Sequence, residues 1–459
     1  MRKKLVNNSH LYNNKRIMVE EIKEIIDLPE GFKMTELGPL PEDWKVVKLG
    51  EVITYQKGRK PEKLSEEPLS GSLPYLTAEY FRTGQAKLFI SEGDNNKNII
   101  CEPSDIVLIW DGSNAGDVFT GLRGILASTM VRIRSNASKL DHVFAYFYLK
   151  TKSDELNNKT TGSAVPHINR SIFESLPIPL PPLPEQRKIA YVLYTVQKAK
   201  EATEKVIQAT RELKKSLMHY LFTYGPAPLN EADRIPLKET EIGTIPEYWQ
   251  VVQLGEVFDV QQGKSLSRKK NLGVRPRPFL RTSNIHWGSI DFSTLDEMDF
   301  DEDEEHKYAL HPGDLLVCEG GEIGRTALWE GQLSNIYYQN HIHRLRPKID
   351  NVEPRFIMYW MQAAFTLLGL YKGLSNKTTI PNLSRGRLSQ LFIPLPPLLE
   401  QHKIAKILQV VDRKIEAEIK YKQALESLFK TLLQQLMTGQ IRLKDFVEGI
   451  ENGSITFSI

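Results

Sequence analysis

The chain contains the same pair of sequence blocks twice. The segment Lys33–Val52 (KMTELGPLPEDWKVVKLGEV) returns at an offset of 205 as Lys238–Val257 (KETEIGTIPEYWQVVQLGEV), with 13 of 20 positions identical. The segment Ile178–Ala190 (IPLPPLPEQRKIA) returns at an offset of 215 as Ile393–Ala405 (IPLPPLLEQHKIA), with 11 of 13 positions identical. The sequences between these borders scarcely match. Constant borders around different interiors indicate an internal duplication in which one scaffold presents two different surfaces.

Length and composition limit the class of protein. A chain of 459 residues is too long for one core and predicts two domains with connecting elements. Hydrophobic residues make up 41% and charged residues 25%, as in ordinary globular proteins. There is no apolar run of 18 residues and no secretory signal pattern, so we expect a cytoplasmic protein without membrane association. A net charge of +3 permits nucleic-acid binding without arguing for it.

The cysteines predict neither a disulfide framework nor a zinc site. Cys101 and Cys318 are the two cysteines, they do not occupy equivalent positions of the repeat, and neither belongs to a CxxC pair.

The interiors predict two α+β domains. Each copy opens with an alternating strand pattern, Trp44–Leu49 and Trp249–Leu254, and closes with an apolar helical segment, 141–150 and 354–370. Short β-branched or aromatic runs lie between, separated by Gly, Pro, Asn and Asp. These runs are Leu73–Thr77, Ile106–Trp110, Met130–Arg134, Pro278–Arg281, Leu315–Cys318 and His341–Leu345.

A long helix is predicted after each proline-rich block, because PLPPLPEQ cannot be helical and a sustained 3-4 apolar spacing follows it. Each helix runs for about 40 residues, or roughly 60 Å, and we expect the two to pair as a coiled coil. Ordinary amphipathic helices lying on their own domains are the alternative, although such helices are usually much shorter. The predicted seam is Ile189, Val192, Val196, Ala199, Thr203, Val206, Thr210, Leu213, Leu217 and Tyr220 in the first helix. In the second it is Ile404, Leu408, Val411, Ile415, Leu425, Phe429, Leu432 and Leu436, interrupted by Glu418 and Lys422.

The arrangement resembles the specificity subunit of a type I restriction-modification system. The resemblance rests on the twin blocks W-x-V-V-x-L-G-E-V and I-P-L-P-P-L-x-E-Q-x-K-I-A, each pair enclosing an unlike interior and followed by a long helix. The interior phrases 105–112 (DIVLIWDG) and 313–324 (GDLLVCEGGEIG) are similar to the strand-and-glycine-turn phrases of that family. The resemblance covers the chain from Lys33 to about Leu443. The segment 1–32 and the interrupted seam depart from the family pattern.

This resemblance implies a non-catalytic subunit that binds double-stranded DNA. Two similar globular target recognition domains, each reading half of a split asymmetric site, would be separated by two long α-helices that form an antiparallel coiled coil with a pseudo-two-fold repeat. Two modification subunits would methylate adenine with S-adenosylmethionine, and restriction subunits would supply ATP- and Mg-dependent translocation and cleavage. This chain itself would bind no cofactor. The implied domains are an N-terminal arm (1–32), target recognition domain 1 (33–182), central helix (183–225), linker (226–240), target recognition domain 2 (241–397), C-terminal helix (398–443) and tail (444–459).

Catalytic motifs are missing from the sequence. There is neither a D/N-P-P-Y/F methyltransferase motif nor a G-x-x-x-x-G-K-S/T phosphate loop. The segment Asp314–Glu319, with Glu322 nearby, suggests a metal nuclease. The lysine expected one residue beyond a catalytic acid is absent, because Gly320 and Gly321 follow Glu319 and Ile323 and Gly324 follow Glu322. A strand ending in a glycine turn is therefore favoured. His341 and His343 share one face of a strand, which favours a core or DNA-facing role over metal binding.

Basic and amide side chains in loops are the candidates for DNA contact, because Arg, Lys, Asn and Gln read base edges and cations bind phosphates. The equivalent glycines Gly58 and Gly263 are interpreted as allowing close backbone approach to a ligand. The candidates of the first domain are Lys57, Arg59, Lys60, Tyr80, Arg82, Asn114, His167, Asn169 and Arg170. Those of the second are Lys264, Arg268, Lys269, Lys270, Arg275, Arg277, Arg281, Asn284, His286, Arg325, Lys372, Asn376, Lys377, Asn382 and Arg385.

Other functions compete with DNA recognition. The acidic segment Asp299–Glu305 (DFDEDEE) is predicted to be a solvated loop facing away from DNA, and less favourably an interaction tail. An enzyme whose catalytic domain lies on another or a lost segment would also carry recognition domains. A purely structural coiled-coil adaptor would explain the helices but not two unlike interiors between matched borders.

Overall fold

The computed structural model describes residues 28–91, 98–162, 165–265, 275–371 and 382–444. These residues fall into two compact units, one made of 28–202 with 422–444 and the other lying within Thr203–Tyr421. Both units mix helices with mainly antiparallel sheets, so the predicted α+β class is confirmed.

The first unit begins with two strand pairs and continues into two four-stranded sheets. The sheet orders are β1-β2, β12-β3, β4-β11-β8-β9 and β6-β5-β10-β7. The elements are β1 Phe32–Thr35, β2 Gly38–Pro41, β3 Lys45–Lys48, β4 Ile53–Lys57, β5 Ser72–Leu76, α1 Ala78–Thr83, β6 Phe89–Ser91, β7 Ile100–Cys101, β8 Ile106–Ile109, β9 Val118–Phe119, β10 Gly124–Leu126, β11 Met130–Ser135, α2 His142–Thr151, α3 Ser153–Asn158, α4 Arg170–Ser175, β12 Pro177–Leu180 and α5 Leu183–Tyr224, with a 3-10 turn at Leu49–Glu51.

The second unit has sheets of order β13-β14, β15-β25, β16-β24-β21-β22, β20-β17-β23 and β18-β19. Its elements are β13 Leu237–Thr240, β14 Gly243–Pro246, β15 Gln250–Gln253, α6 Leu254–Val257, β16 Phe258–Gln262, β17 Pro276–Leu280, β18 Ile285–His286, β19 Ser289–Ile290, β20 Asp296–Asp299, α7 Glu302–Lys307, β21 Leu315–Cys318, β22 Thr326–Leu328, β23 Tyr337–Tyr338, β24 Ile342–Pro347, α8 Pro354–Thr366, α9 Arg385–Ser389, β25 Phe392–Leu395 and α10 Leu398–Met437, with 3-10 turns at Leu229–Arg234 and Thr282–Asn284.

The two repeated blocks meet through a Trp–Glu hydrogen bond in each unit, which is buried in the first unit and partly buried in the second. In the first unit the indole Nε1 of Trp44 donates to Glu185 Oε2 at 3.2 Å. In the second, Nε1 of Trp249 donates to Glu400 Oε2 at 3.0 Å. Because both tryptophans are fully buried, each indole N–H needs an acceptor, and the glutamate of the proline-rich block supplies it.

The glutamine after that glutamate connects the proline-rich turn to the helix of the domain. Gln186 donates from Nε2 to the Pro181 carbonyl at 2.9 Å and accepts at Oε1 from the Asp141 backbone N–H at 2.9 Å. Gln401 donates to Pro396 O at 2.8 Å and accepts from the Glu353 N–H at 2.8 Å. Asp141 and Glu353 are the N-caps of α2 and α8, so the glutamine of the repeated block fixes the start of the helix in both units.

The long helices pack in opposite directions within each unit. In the first unit the start of α5 shares a core with the end of α10, through Ile189, Leu193 and Leu436. In the second, the end of α5 shares a core with the start of α10, through Leu221 and Leu408. A helix with a narrow apolar stripe gains most of its stability from such packing.

Two positions of the predicted seam of α5 are wrong. Val206 and Leu213 are 41% and 52% exposed, while Ile207, one position on, is buried. Adjacent apolar residues such as Val192 and Leu193 satisfy the 3-4 spacing equally well, so the pattern leaves the helix rotation undetermined. The seam positions of α10 are buried or half-buried, including the polar Glu418 and Lys422. Positions 200 and 214 are half-buried lysines, each paired with a carboxylate of α10.

Arg442, just beyond α10, completes the polar contacts of the first unit. Its guanidinium donates to both oxygens of Glu185, at 2.8 and 2.9 Å, and to Asp43 Oδ2 at 2.9 Å. Glu185 is only 3% exposed, so Arg442 compensates a buried charge. Burial would raise the pKa of the Asp43 carboxyl, but hydrogen bonds and charges from Arg442 and Lys444 outweigh it and lower the pKa to about 2.

Replacement of Arg442 by Met should destabilise the first unit by about 3 kcal/mol, because Glu185 would keep its buried charge without the bidentate partner. Lys444→Ala is the matched control, since Lys444 is exposed and pairs at the surface with Asp43, which costs at most about 1 kcal/mol. The ion pairs of Asp43 contribute to folding stability above pH 3.8, the ordinary pKa of the carboxyl, and this contribution is lost as the pH falls toward 2. Urea unfolding at pH 7 and pH 3 measures both effects. Equal destabilisation of the two variants would show that Arg442 acts only at the surface.

Candidate nucleic-acid interface

Three of the sequence-selected loops of the first domain come together beside the ends of β4 and β8. The Lys57 ammonium lies 2.7 Å from Asp111 Oδ2. The backbone of Asp111 bridges to His167, and Gly112 N–H donates to Pro166 O at 2.7 Å. We call the surface formed by residues 57–60, 111–114, 161–162 and 165–170 the first loop surface. It combines exposed cations, amides and an imidazole, the groups that contact phosphates and base edges.

The side chains of the first loop surface differ in their internal bonding. Arg59, Lys60 and Asn114 are exposed, and His167 is exposed with its Nε2 3.0 Å from Thr161 Oγ1. Asn169 caps α4 by accepting backbone N–H bonds, so its side chain has a structural role. Arg170 is fully exposed, and its hydrogen bond lowers the pKa of the Glu174 carboxyl.

Gly58 and Gly263 approach their own chain rather than a ligand, which corrects the interpretation made from the sequence. A Cβ on Gly58 would lie 2.1 Å from the Ala127 carbonyl oxygen, and one on Gly263 would lie 2.3 Å from Gln339 O. Glycine is needed at both positions because two backbone segments cross there.

Helix α1 carries the two remaining candidates of the first domain. Arg82 forms an ion pair with Asp117 and lies over the Phe119 ring, with 5.9 Å between guanidinium carbon and ring centroid. Tyr80 is half-buried against the neighbouring core. The pair with Asp117 places Arg82 next to the turn that follows Asn114.

The second domain builds a surface of different chemistry at equivalent positions. Gln262, the equivalent of Lys57, donates to Glu319 Oε2 at 3.2 Å. His341 Nδ1 lies 3.6 Å from the same oxygen, and Leu383 N–H donates to Glu319 O at 2.9 Å. We call Gln262, Glu319, His341 and residues 382–385 the second loop surface. Its acceptor, Glu319, is only 6% exposed. The first loop surface instead pairs an exposed lysine, Lys57, with a half-buried aspartate, Asp111.

The sequence suggested Glu319 only as a possible nuclease residue. It did not predict that Glu319 belongs to the second loop surface. The signal available was its place just after β21, as Trp110 comes just after the equivalent strand β8. His343 is fully buried, and burial lowers its pKa, with its Nε2 3.0 Å from Leu383 O. His341 is exposed. Asn382 and Arg385 are also exposed.

The acidic segment of the second domain is not a solvated loop, which corrects that prediction. Asp299 ends β20 and the following residues form α7, whose carboxylates pair with three candidate cations. Arg275 lies 2.8 Å from Glu302, Arg277 lies 2.9 Å from Glu305, and Lys264 pairs with Glu304. These cations are therefore partly neutralised inside the domain.

Around the turn Thr282–Asn284, several residues predicted to contact DNA bond to the protein itself. Asn284 is only 4% exposed, and its amide donates to Asp291 O and Thr294 O, so its assignment to DNA is wrong for this conformation. Arg325 donates to Thr282 O at 2.9 Å and is largely buried. Arg281 pairs with Asp296 at 2.8 Å. His286 is exposed.

Other candidates lie outside the described residues: Arg268, Lys269, Lys270, Lys372, Asn376 and Lys377. Within the part of the chain that the structure describes, no group of three or more His, Cys, Asp or Glu side chains could hold a metal ion. No helix among the described residues is long and apolar enough to cross a membrane.

Comparison with known proteins identifies the family. The model of the type I restriction modification DNA specificity domain matches residues 41–212 and again 246–427. The chain therefore belongs to the family of type I restriction-modification DNA specificity subunits, and the resemblance noted in the sequence is confirmed. The MjaVIII specificity subunit of Methanocaldococcus jannaschii is 36% identical over 91% of this chain and 97% of its own. The EcoKI specificity subunit of Escherichia coli K12 is 22% identical, covering 89% of both chains.

Solved structures show the same fold. The specificity subunit of a type I system from M. genitalium has a TM-score of 0.58 at 19% identity, covering 90% of this chain and 98% of that one. A chain from a study of complex assembly and conformational transition of the type I system has a TM-score of 0.50 at 19% identity, covering 88% and 99%.

Proposed function

We propose that this chain is the non-catalytic subunit that reads a bipartite, asymmetric DNA site for a type I restriction-modification complex. Target recognition domains 1 (33–182) and 2 (241–397) would each read one half-site. The observation that carries the proposal is the pair of loop surfaces, which occupy equivalent positions between repeated blocks and present different groups. A Lys–Asp pair and a Gln–Glu–His group offer different donors and acceptors, so they suit different bases.

The helices α5 and α10 would form an antiparallel coiled coil that sets the spacer between half-sites. The proposal is supported by their opposite directions in each unit and by the shared strand order of β4-β11-β8-β9 and β16-β24-β21-β22. Each unit of a pseudo-two-fold repeat would then combine one recognition domain with the start of its own helix and the end of the other.

The same helices would dock the partner subunits. Exposed apolar side chains support this role, because large exposed apolar surfaces mark interaction sites. They include Val206, Leu213, Val410, Tyr421 and Leu428. Two modification subunits carrying S-adenosylmethionine, and restriction subunits using ATP and Mg, would supply the chemistry, and this chain would hold none of these cofactors.

Methylome sequencing of cells that express this chain with its cognate modification subunit tests the proposed function. Adenine methylation should appear at one bipartite, asymmetric sequence and should disappear when this chain is omitted. Methyl transfer by the purified chain without partners would instead identify an enzyme. Methylation independent of this chain would reject the specificity role.

The first loop surface should provide salt-sensitive affinity. Replacing Lys57, Arg59 and Lys60 together by Ala should weaken binding of the complex to duplex DNA. The log–log salt slope should flatten by about 0.9 for each phosphate that the protein no longer neutralises. Triple replacement of Lys45, Lys48 and Lys139, which are exposed elsewhere in the first unit, is the matched control. Fluorescence anisotropy between roughly 50 and 200 mM salt measures both slopes. An unchanged slope in the first variant would place this surface away from DNA.

A further inference from the structure

The second unit joins its recognition domain to both long helices through a partly buried ionic cluster. Lys214 of α5 lies 2.6 Å from Asp412 Oδ1 of α10. Tyr359 of α8 donates its hydroxyl to Asp412 Oδ2 at 2.7 Å. Lys214 is 12% exposed, also donates to Gln362 Oε1 at 3.0 Å, and lies over the Tyr359 ring at 5.2 Å from its centroid. We call Lys214, Tyr359 and Asp412 the ionic junction.

The equivalent positions of the long helices in the first unit carry no charge. The two helices are equivalent at an offset of 215, which is the offset of the repeated block in which each helix begins. At this offset Phe429 is the equivalent of Lys214, and Gln197 is the equivalent of Asp412. The lysine and aspartate of the ionic junction are therefore a phenylalanine and a glutamine in the first unit.

Tyr359, the third residue of the ionic junction, has its equivalent at the same position of the domain helix in the first unit. Phe147 is the sixth residue after the N-cap Asp141, and Tyr359 is the sixth after the N-cap Glu353. Phe147 is fully buried and packs on Phe429, with 5.8 Å between the ring centroids. We call Phe147, Gln197 and Phe429 the aromatic junction.

Each junction accepts the end of only one long helix: the ionic junction uses Lys214 near the end of α5, and the aromatic junction uses Phe429 near the end of α10. If a second copy offered its α5 in place of α10 in the first unit, its Lys214 would lie where Phe429 packs, beside Phe147 and Gln197. If a second copy offered its α10 in place of α5 in the second unit, its Phe429 would lie beside Asp412 and Tyr359. The first exchange leaves a partly buried ammonium without its carboxylate. The second leaves a partly buried carboxylate without its cation, so both exchanges are unfavourable.

We propose that the ionic and aromatic junctions select the pairing of α5 with α10 of the same chain and reject helix exchange with a second copy of this chain. The two helices begin with nearly identical blocks, so apolar packing alone discriminates weakly between them. A mismatch that penalises the wrong partner provides the discrimination. The more exposed pair Lys200–Glu426, 3.9 Å apart, acts in the same direction but more weakly. This selection does not depend on DNA recognition.

The double variant Lys214→Phe with Phe429→Lys tests the proposal in the full chain, because it inverts the selection. Within one chain both junctions become mismatched. In an exchanged dimer, the phenylalanine introduced at position 214 of one copy would complete the aromatic junction of the other. The lysine introduced at position 429 would likewise complete the ionic junction. Light scattering after gel filtration should show the 52.5 kDa chain shifting to twice its mass, with a dimer-to-monomer ratio at least about 100-fold above wild type.

Cross-linking of mixed isotope-labelled copies should then join α5 to α5 between chains. A double variant that remains a folded monomer would overturn the proposal. The control variant exchanges all three residues of the ionic junction with those of the aromatic junction, and it should remain monomeric. Its substitutions are Phe147→Tyr, Gln197→Asp, Phe429→Lys, Tyr359→Phe, Asp412→Gln and Lys214→Phe. If the double variant does not fold, this control decides: a folded monomer shows that restoring matched sets rescues pairing, whereas a dimer or a second failure to fold overturns the proposal.

Discussion

Replacing residues 49–176 by residues 254–391 is expected to give a complex that selects a palindromic DNA site. Leu49 N–H donates to Leu176 O at 2.8 Å, and Leu254 N–H donates to Leu391 O at 2.8 Å, so both interiors start and end at the same backbone bond. The flanking pairs β3·β12 and β15·β25 can therefore accept either interior. Both units would then present the second loop surface.

The replacement needs one further substitution. The imported α8 would place Tyr359 beside the aromatic junction, where its hydroxyl loses Asp412, so Tyr359→Phe should be made in the imported copy only. A mismatched base pair costs about 1–3 kcal/mol, so two or more mismatches should weaken binding of the original target by on the order of 100-fold.

Selection from a random duplex pool, or methylome sequencing, identifies the new target. The reciprocal replacement of residues 254–391 by 49–176 is the matched variant and should select the other palindrome. Recovery of the original asymmetric site by either variant would show that the interiors do not carry the half-site specificity.

The substitution Gly58→Ala is expected to destabilise the first unit by about 3 kcal/mol, at the upper end of overpacking effects. The new methyl group would meet Ala127 O at 2.1 Å and Leu126 O at 2.6 Å. These are backbone oxygens of the last residue of β10 and of the residue after it, and they cannot move aside as the end of a flexible side chain can. Gly263→Ala should do the same to the second unit, through Gln339 O at 2.3 Å.

Gly320→Ala is the matched control, because an added Cβ there meets nothing within 4 Å, and the change should stay within about 0.5 kcal/mol. Hydrogen exchange resolved by peptide can assign each decrease in protection to its unit. If Gly58→Ala and Gly320→Ala lower stability equally, close backbone crossing is not the reason for glycine at position 58.

Several features could be predicted from the sequence because they depend on local or repeated patterns. The duplication, the α+β class and the two helices of about 40 residues follow from sequence identity and spacing within short windows. The Trp–Glu hydrogen bonds also lie inside the repeated blocks, although only the structure shows that the blocks meet.

The tertiary structure decided the features that depend on which of several equivalent choices packs best. Val206 and Ile207 are adjacent apolar residues, so the sequence made them equally suitable for the helix seam. In the folded chain Ile207 is buried and Val206 is exposed. This corresponds to a rotation of the helix by one residue, about 100°, and Lys214, seven residues after Ile207, then lies beside Asp412. Likewise, the order of charged residues in the sequence did not predict that carboxylates of α7 pair with Arg275 and Arg277. Ion pairs and backbone crossings form between segments distant in sequence, so their partners exist only once the chain has folded, whereas periodicity and duplication are properties of the sequence itself.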